Sequence, residues 1–489
     1  MAEEDIKQEA GPLTREEWIA KVRSQGRDNT IREEMIRLGF WSNDELSSEE
    51  QRQQATEDEE YQQLLKELNK LKAESAKLSN LNELLKIARK KRIEESKRKR
   101  AERKARRERE QAEAAQRWQA HKQTHVIHAG RGVSGGLQST VYDEAKLIEN
   151  NLPLIRSSLE LAEAMEIPVG RLKWLTYHRK TATLNHYQRF TIPKKSGGRR
   201  EISAPKKSLR AAQQWVKTHI LDALTVHPAA RGFVSGKSTL DHAEPHLQQA
   251  AVVKMDLKDF FPTIRFRRVK GFFHYLGYSE AVSTIFALLC TEPPRKEIQF
   301  NGTRYYVAMD ERQLPQGACT SPALSNLICR RLDQRLRGLA EKHGFHYTRY
   351  ADDLAFSCGE DGLNEIGAII NTSRDIIRFE GFAVNEEKTR ILRASNRQNI
   401  TGIVVNQKPN IRRKDLRAFR ALLYSVEKNG LEQENRHNHP HFWDYIKGYA
   451  SYIRMVRPDL EEKLAPRLLR ISQKHGLHAP DWCKQVAAK

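Results

Sequence analysis

Cysteine is scarce in this chain of 489 residues. Its five cysteines are Cys290, Cys319, Cys329, Cys358 and Cys483, and they form neither a C-x-x-C pair nor a Cys/His pair of metal-binding spacing. The sequence therefore indicates neither a disulfide framework nor a zinc site. We expect reduced thiols that mostly fill the core.

Long apolar runs are missing as well, and acidic side chains are in the minority. No run approaches the length of a membrane span, and the opening MAEEDIKQEAGPL lacks the apolar region of a secretory signal, so we expect a protein that works inside the cell. The 63 Asp and Glu residues stand against 85 Lys and Arg, which gives a net charge of +22. This excess favours a polyanionic partner, either nucleic acid or an anionic membrane surface.

Residues 1–128 predict a helical, charged extension. Apolar residues from Tyr61 to Leu85 follow a heptad spacing with one stutter, which predicts a coiled coil or a long packed helix. The block ARKKRIEESKRKRAERKARRERE, from Ala88 to Glu110, predicts a solvated helix with i,i+4 ion pairs or an RNA-binding segment, and both can hold. Residues 129–140 are rich in Gly and Ser and predict a linker.

Two adjacent carboxylates, Asp352 and Asp353, lie between two runs of strand-forming residues in HYTRYADDLAFS, His346 to Ser357. The period-2 alternation predicts a β-hairpin with both carboxylates at its tip. Neighbouring carboxylates repel unless cations neutralise them, and oxygen ligands suit Mg²⁺. An isolated Asp-Asp turn in a basic protein is most often only solvated, so the prediction depends on other segments.

Four further segments accompany this hairpin. FTIPKKSGGRREISAP predicts a hairpin with a basic tip, and QAAVVKMDLKDFFPTI predicts a buried strand that ends at Asp256. LPQGACTSPALSNLICRRLDQRL predicts a glycine turn and then a helix whose N-cap is Ser321. GFAVNEEKTRIL places Lys388 in a polar turn before another strand.

In this order, the five segments resemble the palm and fingers of a reverse transcriptase. The resemblance covers about Ala145 to Val456 and implies an α+β right-hand polymerase with fingers, a ferredoxin-like palm and a helical thumb after the N-terminal extension. The expected bounds are 141–250 for the fingers, 251–405 for the palm and 406–489 for the thumb. The implied activity is RNA-directed DNA polymerisation with two Mg²⁺ ions, which Mn²⁺ could replace.

The resemblance also implies roles for individual residues. Asp256 and Asp352 would bridge the metal ions with support from Asp353, and the Leu257 carbonyl would be a further ligand. The residues expected around the incoming deoxynucleotide are Arg200 with Lys194 or Lys195, Phe261 as a gate against a ribose 2′-OH, and Gln316 with Gly317. Lys388 matches a position proposed to protonate pyrophosphate, with an ordinary surface lysine as the alternative.

Two short elements favour the bacterial retron type. Ile400-Thr401-Gly402 resembles a retron V-T-G element, and His242-Ala243-Glu244-Pro245-His246 resembles N-A-x-x-H with His in place of Asn. For His246 a purely structural role is the alternative. These elements do not supply metal ligands, so the departure at residue 242 concerns the subfamily alone.

The segment after residue 406 has a basic, helical pattern. Arg412, Arg413 and Lys414 are expected to contact a phosphate backbone. The aromatic residues of HFWDYIKGYASYIRMV have helical spacing, which is more often typical of a core than of a base-stacking platform.

The retron resemblance implies a structured non-coding RNA as template and primer, deoxynucleotides as substrates, and priming from a 2′-OH that yields branched RNA–cDNA. It also implies phage defence together with other proteins, in the bacterial cytoplasm. The length and charge of the N-terminal extension separately suggest that it docks an effector protein or a second copy. Three alternatives stay open: an abortive-infection enzyme with untemplated synthesis, a group II intron-like reverse transcriptase, and a scaffold whose extension docks an effector.

Overall fold

The computed structural model describes residues 13–41, 63–75, 81–193, 197–436 and 438–487. The predicted coiled-coil residue Tyr61 and the predicted nucleotide-binding residues Lys194 and Lys195 lie outside these ranges. Within them, no helix is long and apolar enough to cross a membrane. The chain divides into two compact units, Met1–Ala115 and Gln116–Lys489.

Helices make up most of the regular structure. The described helices are α1 (Arg15–Gln25), α2 (Arg27–Arg37), α3 (63–75), α4 (Leu81–Thr124), α5 (Glu144–Glu149), α6 (Ser158–Ala164), α7 (Val169–Thr176), α8 (Lys207–Val216), α9 (Thr239–Ala243), α10 (Phe260–Thr263), α11 (Phe266–Tyr275), α12 (Glu280–Cys290), α13 (Ser321–Ile328), α14 (Arg330–Lys342), α15 (Ile366–Phe379), α16 (Arg413–Asn429), α17 (Leu431–Glu434), α18 (Phe442–Val456), α19 (Glu461–Lys474) and α20 (Asp481–Ala487). A π-helical turn at Lys217–Leu221 follows α8, and a 3-10 turn covers Glu386–Lys388.

The strands form several small antiparallel sheets. They are β1 (Thr181–Ala182), β2 (Tyr187–Pro193), β3 (Arg199–Pro205), β4 (Ala251–Asp256), β5 (Arg295–Phe300), β6 (Thr303–Ala308), β7 (Phe345–Tyr350), β8 (Asp353–Cys358), β9 (Arg390–Arg393), β10 (Asn399–Ile400), β11 (Ile403–Val404) and β12 (Asn410–Ile411). The sheet orders are β7-β8-β4-β9, β1-β6-β5, β10-β11-β12 and β2-β3. The chain is therefore a mixed helix-and-strand protein.

The first unit is largely solvated helix. The Thr14 hydroxyl and the Glu17 carboxylate form the capping box of α1. Along α4, i,i+4 ion pairs such as Arg106–Glu110 at 2.8 Å link exposed side chains, which confirms the predicted solvated, ion-paired helix. Leu71 and Ile87 are 63% and 64% exposed, so the coiled coil stays a prediction.

The sheet β7-β8-β4-β9 lies between two hydrophobic cores of the second unit. Strand side chains alternate in direction, so Val253 and Phe356 join the larger core while Val252 and Ala355 join the smaller one. The larger core also contains helix residues such as Phe286 of α12. Helices α16, α18 and α19 supply most of the smaller core. Because apolar side chains pack on both faces of this sheet, the orientation of the polar strand ends is fixed.

The segment 129–140 differs from the predicted linker. Ala129 is fully buried, Val133 and Leu137 are each 8% exposed, and all three belong to the larger core. A Cβ at Gly130 would lie 1.9 Å from the carbonyl oxygen of His178. The glycines and serines of this segment therefore allow an irregular stretch of chain to pack closely against the core. A flexible linker has the same composition, so composition alone does not distinguish the two.

Candidate active site

The predicted carboxylates meet at one end of the sheet β7-β8-β4-β9. Asp256 is the last residue of β4, Asp353 is the first of β8, and the two are direct cross-strand partners. Asp352 occupies the turn between β7 and β8, where its carbonyl oxygen accepts a hydrogen bond from the Leu257 N–H at 2.9 Å. The structure thus brings together the three carboxylates and Leu257, as the hairpin pattern and the Asp256 strand predict.

The turn that carries Asp352 has a strained backbone. Ala351 has φ +57°, a left-handed conformation that is uncommon for a residue with a Cβ. Neighbouring Gly232 passes so close that a Cβ there would lie 2.9 Å from the Ala351 nitrogen. Tight packing around the turn therefore defines where the Asp352 carboxylate points.

Negative charge at this end of the sheet is not fully compensated. Burial, reinforced by the Asp352 charge, raises the pKa of Asp353 to about 6. Burial and the charge of Asp256 also raise the pKa of Asp352. Two carboxyl groups with raised pKa values indicate a place where a cation would stabilise the ionised forms.

Lys388 supplies one such cation. Its ammonium nitrogen lies 2.9 and 3.0 Å from the two carboxylate oxygens of Asp256. This hydrogen bond raises the pKa of Lys388, so the side chain stays protonated at neutral pH. The segment is placed by the Asn385 N–H, which donates to the Asp256 carbonyl oxygen at 2.7 Å. Lys388 therefore contacts the carboxylate cluster directly, with 55% of its side chain exposed, and its role in pyrophosphate release stays a prediction.

The carboxylates suit a divalent metal by their chemistry, although the described residues do not hold them in a metal-ready arrangement. No group of three or more His, Cys, Asp or Glu side chains within the described ranges is arranged to hold a metal ion. Asp256 instead uses both oxygens for Lys388. The donor set of carboxylate oxygens fits a hard cation such as Mg²⁺, and the raised pKa values of Asp352 and Asp353 agree with that fit.

A cavity of about 920 Å³ opens in front of the carboxylates. The predicted site residues that line it are Arg200, Asp256, Leu257, Phe261, Gln316, Gly317, Asp352 and Lys388. Asp353 is beside the cavity on β8 and does not line it. Arg412, Arg413 and Lys414 are exposed at the start of α16 and are not part of its lining.

The glycine turn joins the basic hairpin to this cavity. The hairpin pairs β2 with β3, and Ile192 is the partner of Arg200. The Ser203 N–H of β3 donates to the Gln316 carbonyl oxygen at 2.7 Å. Gly317 has φ +116°, and a Cβ there would lie 2.8 Å from Ile202. Only glycine permits this approach, which brings Arg200 to the cavity edge.

Arg349 of β7 and Asp333 of α14 form a buried ion pair beside the β7-β8 hairpin, which was not predicted from the sequence. Arg349 donates to both carboxylate oxygens of Asp333 at 2.7 and 2.6 Å. The same guanidinium donates to the Asn326 side-chain oxygen at 3.0 Å and to the Ala351 carbonyl oxygen at 3.2 Å. Both charged side chains are fully buried. Arg349 therefore anchors the strained turn that carries Asp352.

A sequence signal for this pair existed. Asp333 lies on the buried face of α14 together with Leu332 and Leu336, where a carboxylate needs a buried partner. Arg349 occupies a strand whose neighbours Tyr347 and Thr348 are buried. The pattern could have indicated two buried charges, but not that they bind each other.

Two buried histidines support the same strands. Thr348 Oγ1 lies 2.8 Å from His242 Nδ1 and 2.7 Å from His246 Nε2, and Ser357 Oγ lies 2.7 Å from His246 Nδ1. This geometry confirms the structural role for His246. Burial lowers the pKa of His242 to about 3 and lowers the pKa of His246 well below its ordinary value.

These neutral histidines predict a loss of stability in acid. In the unfolded chain a histidine takes up a proton near pH 6.5, whereas His242 stays neutral in the folded state down to about pH 3. The unfolded state then binds more protons, so the free energy of unfolding falls as the pH drops below 6.5, by about 2 kcal/mol at pH 5 for His242. His242→Asn should lose less stability than the parent between pH 7 and pH 5, measured by urea denaturation at both pH values. Equal losses in the two proteins would contradict this assignment.

Comparison with known proteins identifies similar chains. Residues 192–410 match the family model described as reverse transcriptase (RNA-dependent DNA polymerase). The retron Mx162 reverse transcriptase of Myxococcus xanthus is 39% identical over 70% of this chain and 74% of its own length. The retron Mx65 enzyme of the same organism is 38% identical over 68% and 75%, and the retron Ec86 enzyme of Escherichia coli is 31% identical over 66% and 92%.

Among solved structures, a foamy viral protease-reverse transcriptase in complex with double-stranded DNA has a TM-score of 0.32 at 15% identity, over 56% of this chain and 38% of that chain. A TM-score this low does not support a conclusion about the fold of this chain.

Proposed function

This chain belongs to the retron reverse transcriptases, which are RNA-directed DNA polymerases, and we propose that it copies a structured partner RNA into cDNA at the cavity lined by Asp256 and Asp352. The observation that carries the proposal is the gathering of Arg200, Phe261 and Gln316 around the carboxylates in one cavity. Phosphoryl transfer depends mainly on positioning and charge stabilisation, which such a cavity can supply.

The direct test starts with the protein isolated from its native host and the nucleic acid bound to it. Sequencing that nucleic acid identifies the RNA, and adding Mg²⁺ with the four deoxynucleotides should extend it into DNA complementary to the RNA. A product with no relation to the RNA would instead favour untemplated synthesis, and a spliced-intron RNA would favour the group II-like alternative.

We assign residues 141–250 to fingers, 251–405 to a palm and 406–489 to a thumb. The sheet β7-β8-β4-β9 with its carboxylates supports the palm assignment, and the separate helical core of α16, α18 and α19 supports the thumb. The basic hairpin β2-β3, which contacts the glycine turn, supports the fingers.

In this proposal Asp256 and Asp352 would hold two Mg²⁺ ions, with the Leu257 carbonyl as a further ligand and Asp353 in support. When bound, the ions stabilise the negative charge that develops on the transferring phosphoryl group. Lys388 holds a proton on Nζ beside Asp256. That proton is available to a departing pyrophosphate oxygen, as the resemblance implies for this position.

The nucleotide is proposed to bind between the hairpin β2-β3 and the glycine turn. Arg200, with Lys195, would bind the triphosphate by charge-assisted hydrogen bonds. Gln316 and Gly317 would lie along the nucleotide, since both line the cavity and their backbone approaches β3. Phe261 would exclude a ribose 2′-OH.

Phe261→Ala should increase ribonucleotide incorporation relative to deoxynucleotide incorporation, on the order of 10- to 100-fold, because the ring no longer fills the space that a 2′-OH would need. The measurement is the ratio of kcat/KM values for the two nucleotides. Phe233→Ala is the matched control, since Phe233 lines the same cavity with its ring centre 6.2 Å from that of Phe261. An unchanged ratio in Phe261→Ala would remove the gate assignment.

Arg412, Arg413 and Lys414 are proposed to contact the RNA backbone. They are exposed around the N-terminus of α16, where cations are unfavourable because of the helix dipole. Their positions are thus not explained by helix stability. A bound phosphate would be stabilised both by these side chains and by the dipole.

The branched, 2′-OH-primed product, the role in phage defence and the docking of an effector or a second copy are proposals from the family alone. For the N-terminal extension, the exposed Leu71 and Ile87 support a docking role, and the ion-paired basic helix leaves RNA binding open. Removing Met1–Ala115 tests these alternatives while keeping the core residues Val126 and Ala129. Retained cDNA synthesis with lost assembly would identify a docking module. Weaker RNA binding with a smaller salt dependence would identify an RNA contact.

A further inference from the structure

A second surface, away from the carboxylates, combines aromatic rings with arginines. Trp174 and Tyr177 are 39% and 42% exposed. The guanidinium of Arg171 lies 4.1 Å from the Trp174 ring centre, and that of Arg179 lies 5.1 Å from the Tyr177 ring centre. Both aromatic residues line a cavity of about 240 Å³. We call these residues and this cavity the Trp174 surface.

The Trp174 surface carries uncompensated positive charge. An adjoining cavity of about 660 Å³ shares Tyr177 and Arg179 with it and adds Arg131 and Lys180. Within the described part of the chain, the acidic residues that line the two cavities are paired with other arginines: Glu292 with Arg189 at 2.6 Å, and Asp310 and Glu311 with Arg265 at 3.5 and 3.1 Å. Arg131, Arg179 and Lys180 are exposed, and none of these carboxylates pairs with them, although the Arg179 guanidinium also contacts the Tyr177 ring.

A third cavity shares lining residues with both the Trp174 cavity and the active-site cavity. This one, of about 190 Å³, shares Glu292 and Pro293 with the Trp174 cavity. It shares Arg200 and Gln316 with the cavity of the carboxylates. The three cavities therefore adjoin one another in turn through shared lining residues, with the third one between the proposed nucleotide site and the Trp174 cavity.

Template-directed synthesis determines which nucleic-acid strand extends beyond the proposed nucleotide site towards the Trp174 surface. The primer stops where the incoming nucleotide binds, next to Arg200 and Gln316 in the proposed function. The only strand that continues past that point is the template, and it is unpaired there. Unpaired RNA binds through phosphate contacts to cations and through base stacking on aromatic rings, which are the two features of the Trp174 surface.

We propose that the unpaired template RNA ahead of the copied position binds the Trp174 surface. Its bases would stack on Trp174 and Tyr177, and its phosphates would contact Arg131, Arg179 and Lys180. The inference rests on the proposed polymerase function and adds a template site outside the catalytic cavity. A neutral or basic protein partner is disfavoured by the exposed cations around the rings.

The experiment measures binding and extension of RNA-template/DNA-primer duplexes with different single-stranded template overhangs. One duplex has an overhang of about 2 nucleotides and the other of about 15, which is the upper size range of single-strand sites. The double variant Trp174→Ala, Tyr177→Ala should bind the long-overhang duplex about tenfold more weakly than the parent and the short-overhang duplex equally well. Trp174→Phe, Tyr177→Phe keeps the rings and should bind both like the parent.

A matched control is Tyr275→Ala. Tyr275 is 69% exposed and has the Lys146 ammonium 4.0 Å from its ring centre, but it lines none of the three cavities. The Tyr275→Ala variant should bind both duplexes like the parent. In addition, Arg179→Gln should lower the slope of log K against log salt by about 0.7 on the long overhang only.

The inference is overturned if the alanine double variant binds both duplexes like the parent, or is weakened equally on both. Equal weakening on both duplexes would mean that the substitutions disturb the fold rather than a contact with the overhang. Failure of the parent protein to make cDNA on the RNA isolated with it would overturn the proposed function itself and the template site with it. That result is distinct, because it appears without any substitution.

Discussion

Asp352→Asn should reduce the rate of cDNA synthesis by on the order of 10³-fold or more. The change keeps the shape of a side chain that lines the active-site cavity and removes the charge that a divalent ion requires. Residues that merely support a metal ligand typically contribute 10- to 100-fold, so a direct ligand should contribute more, as a rough scale. The measurement is the initial rate of primer extension at saturating deoxynucleotide over a range of Mg²⁺ concentrations.

Three comparisons make this test specific. Asp256→Asn should have an effect of similar size, and the double variant should be little worse than either single change because the two groups act as a unit. Asp353→Asn should have a smaller effect, since Asp353 pairs with Asp256 across the strands without lining the cavity. Asp375→Asn on α15 makes the same charge change at an exposed side chain whose partner is Arg378. A rate for Asp352→Asn as high as that of Asp375→Asn would refute the site.

Arg349→Met should destabilise the folded protein by about 3–5 kcal/mol, because it leaves the Asp333 carboxylate buried without its partner. The pair is bidentate, with both side chains fully buried. The Ala351 carbonyl also loses the donor that holds the strained turn next to Asp352. Urea denaturation measures the stability, and primer extension measures the rate in the fraction that stays folded.

The control for this prediction is another bidentate pair on the surface. Arg374 binds Glu386 at 2.9 and 2.7 Å, and both side chains are substantially exposed. Arg374→Met should change the stability by less than about 1 kcal/mol, because solvent screens exposed pairs. If Arg349→Met costs no more than Arg374→Met, the buried pair does not anchor the fold.

A double change separates stability from catalysis. Arg349→Met combined with Asp333→Leu removes both charges and should recover part of the lost stability, since buried pairs can often be replaced by apolar groups. Recovery should be partial, because the Tyr347 hydroxyl loses Asp333 as its acceptor. The kcat should stay low while KM changes little, because the Ala351 carbonyl still lacks its donor. Full recovery of kcat would reduce Arg349 to a purely structural residue.

Sequence patterns predicted the parts of the site that depend on neighbouring residues. The β7-β8 hairpin with Asp352 at its turn follows from alternation within a dozen residues. The glycine at residue 317 and the strand end at Asp256 follow from turn chemistry and an apolar run. Their joint order along the chain indicated the family, which the relatives then established. The individual roles of Arg200, Phe261 and Gln316 stay predictions until the variants are measured.

The sequence did not reveal features that depend on residues far apart in the chain. Strands β1 and β6 pair across more than a hundred positions, and neither strand has a strong pattern of its own. Residues 129–140 had the composition of a linker, although Ala129 and Leu137 belong to the core. Composition cannot distinguish glycine used for flexibility from glycine used for close packing, because both need the absence of a Cβ.

By itself, then, the sequence determined the family with its kind of chemistry and the strongly basic character that suits a nucleic acid, and it predicted the carboxylates that we propose carry the chemistry. Only the tertiary structure decided that Lys388 binds Asp256, that Arg349 and Asp333 are buried together, and that a cavity lined by Arg200 adjoins the cavity of Trp174. The physical reason is the range of the interactions. Strand alternation and turn chemistry act over a few residues, whereas an ion pair or a cavity depends on how separate segments pack in space.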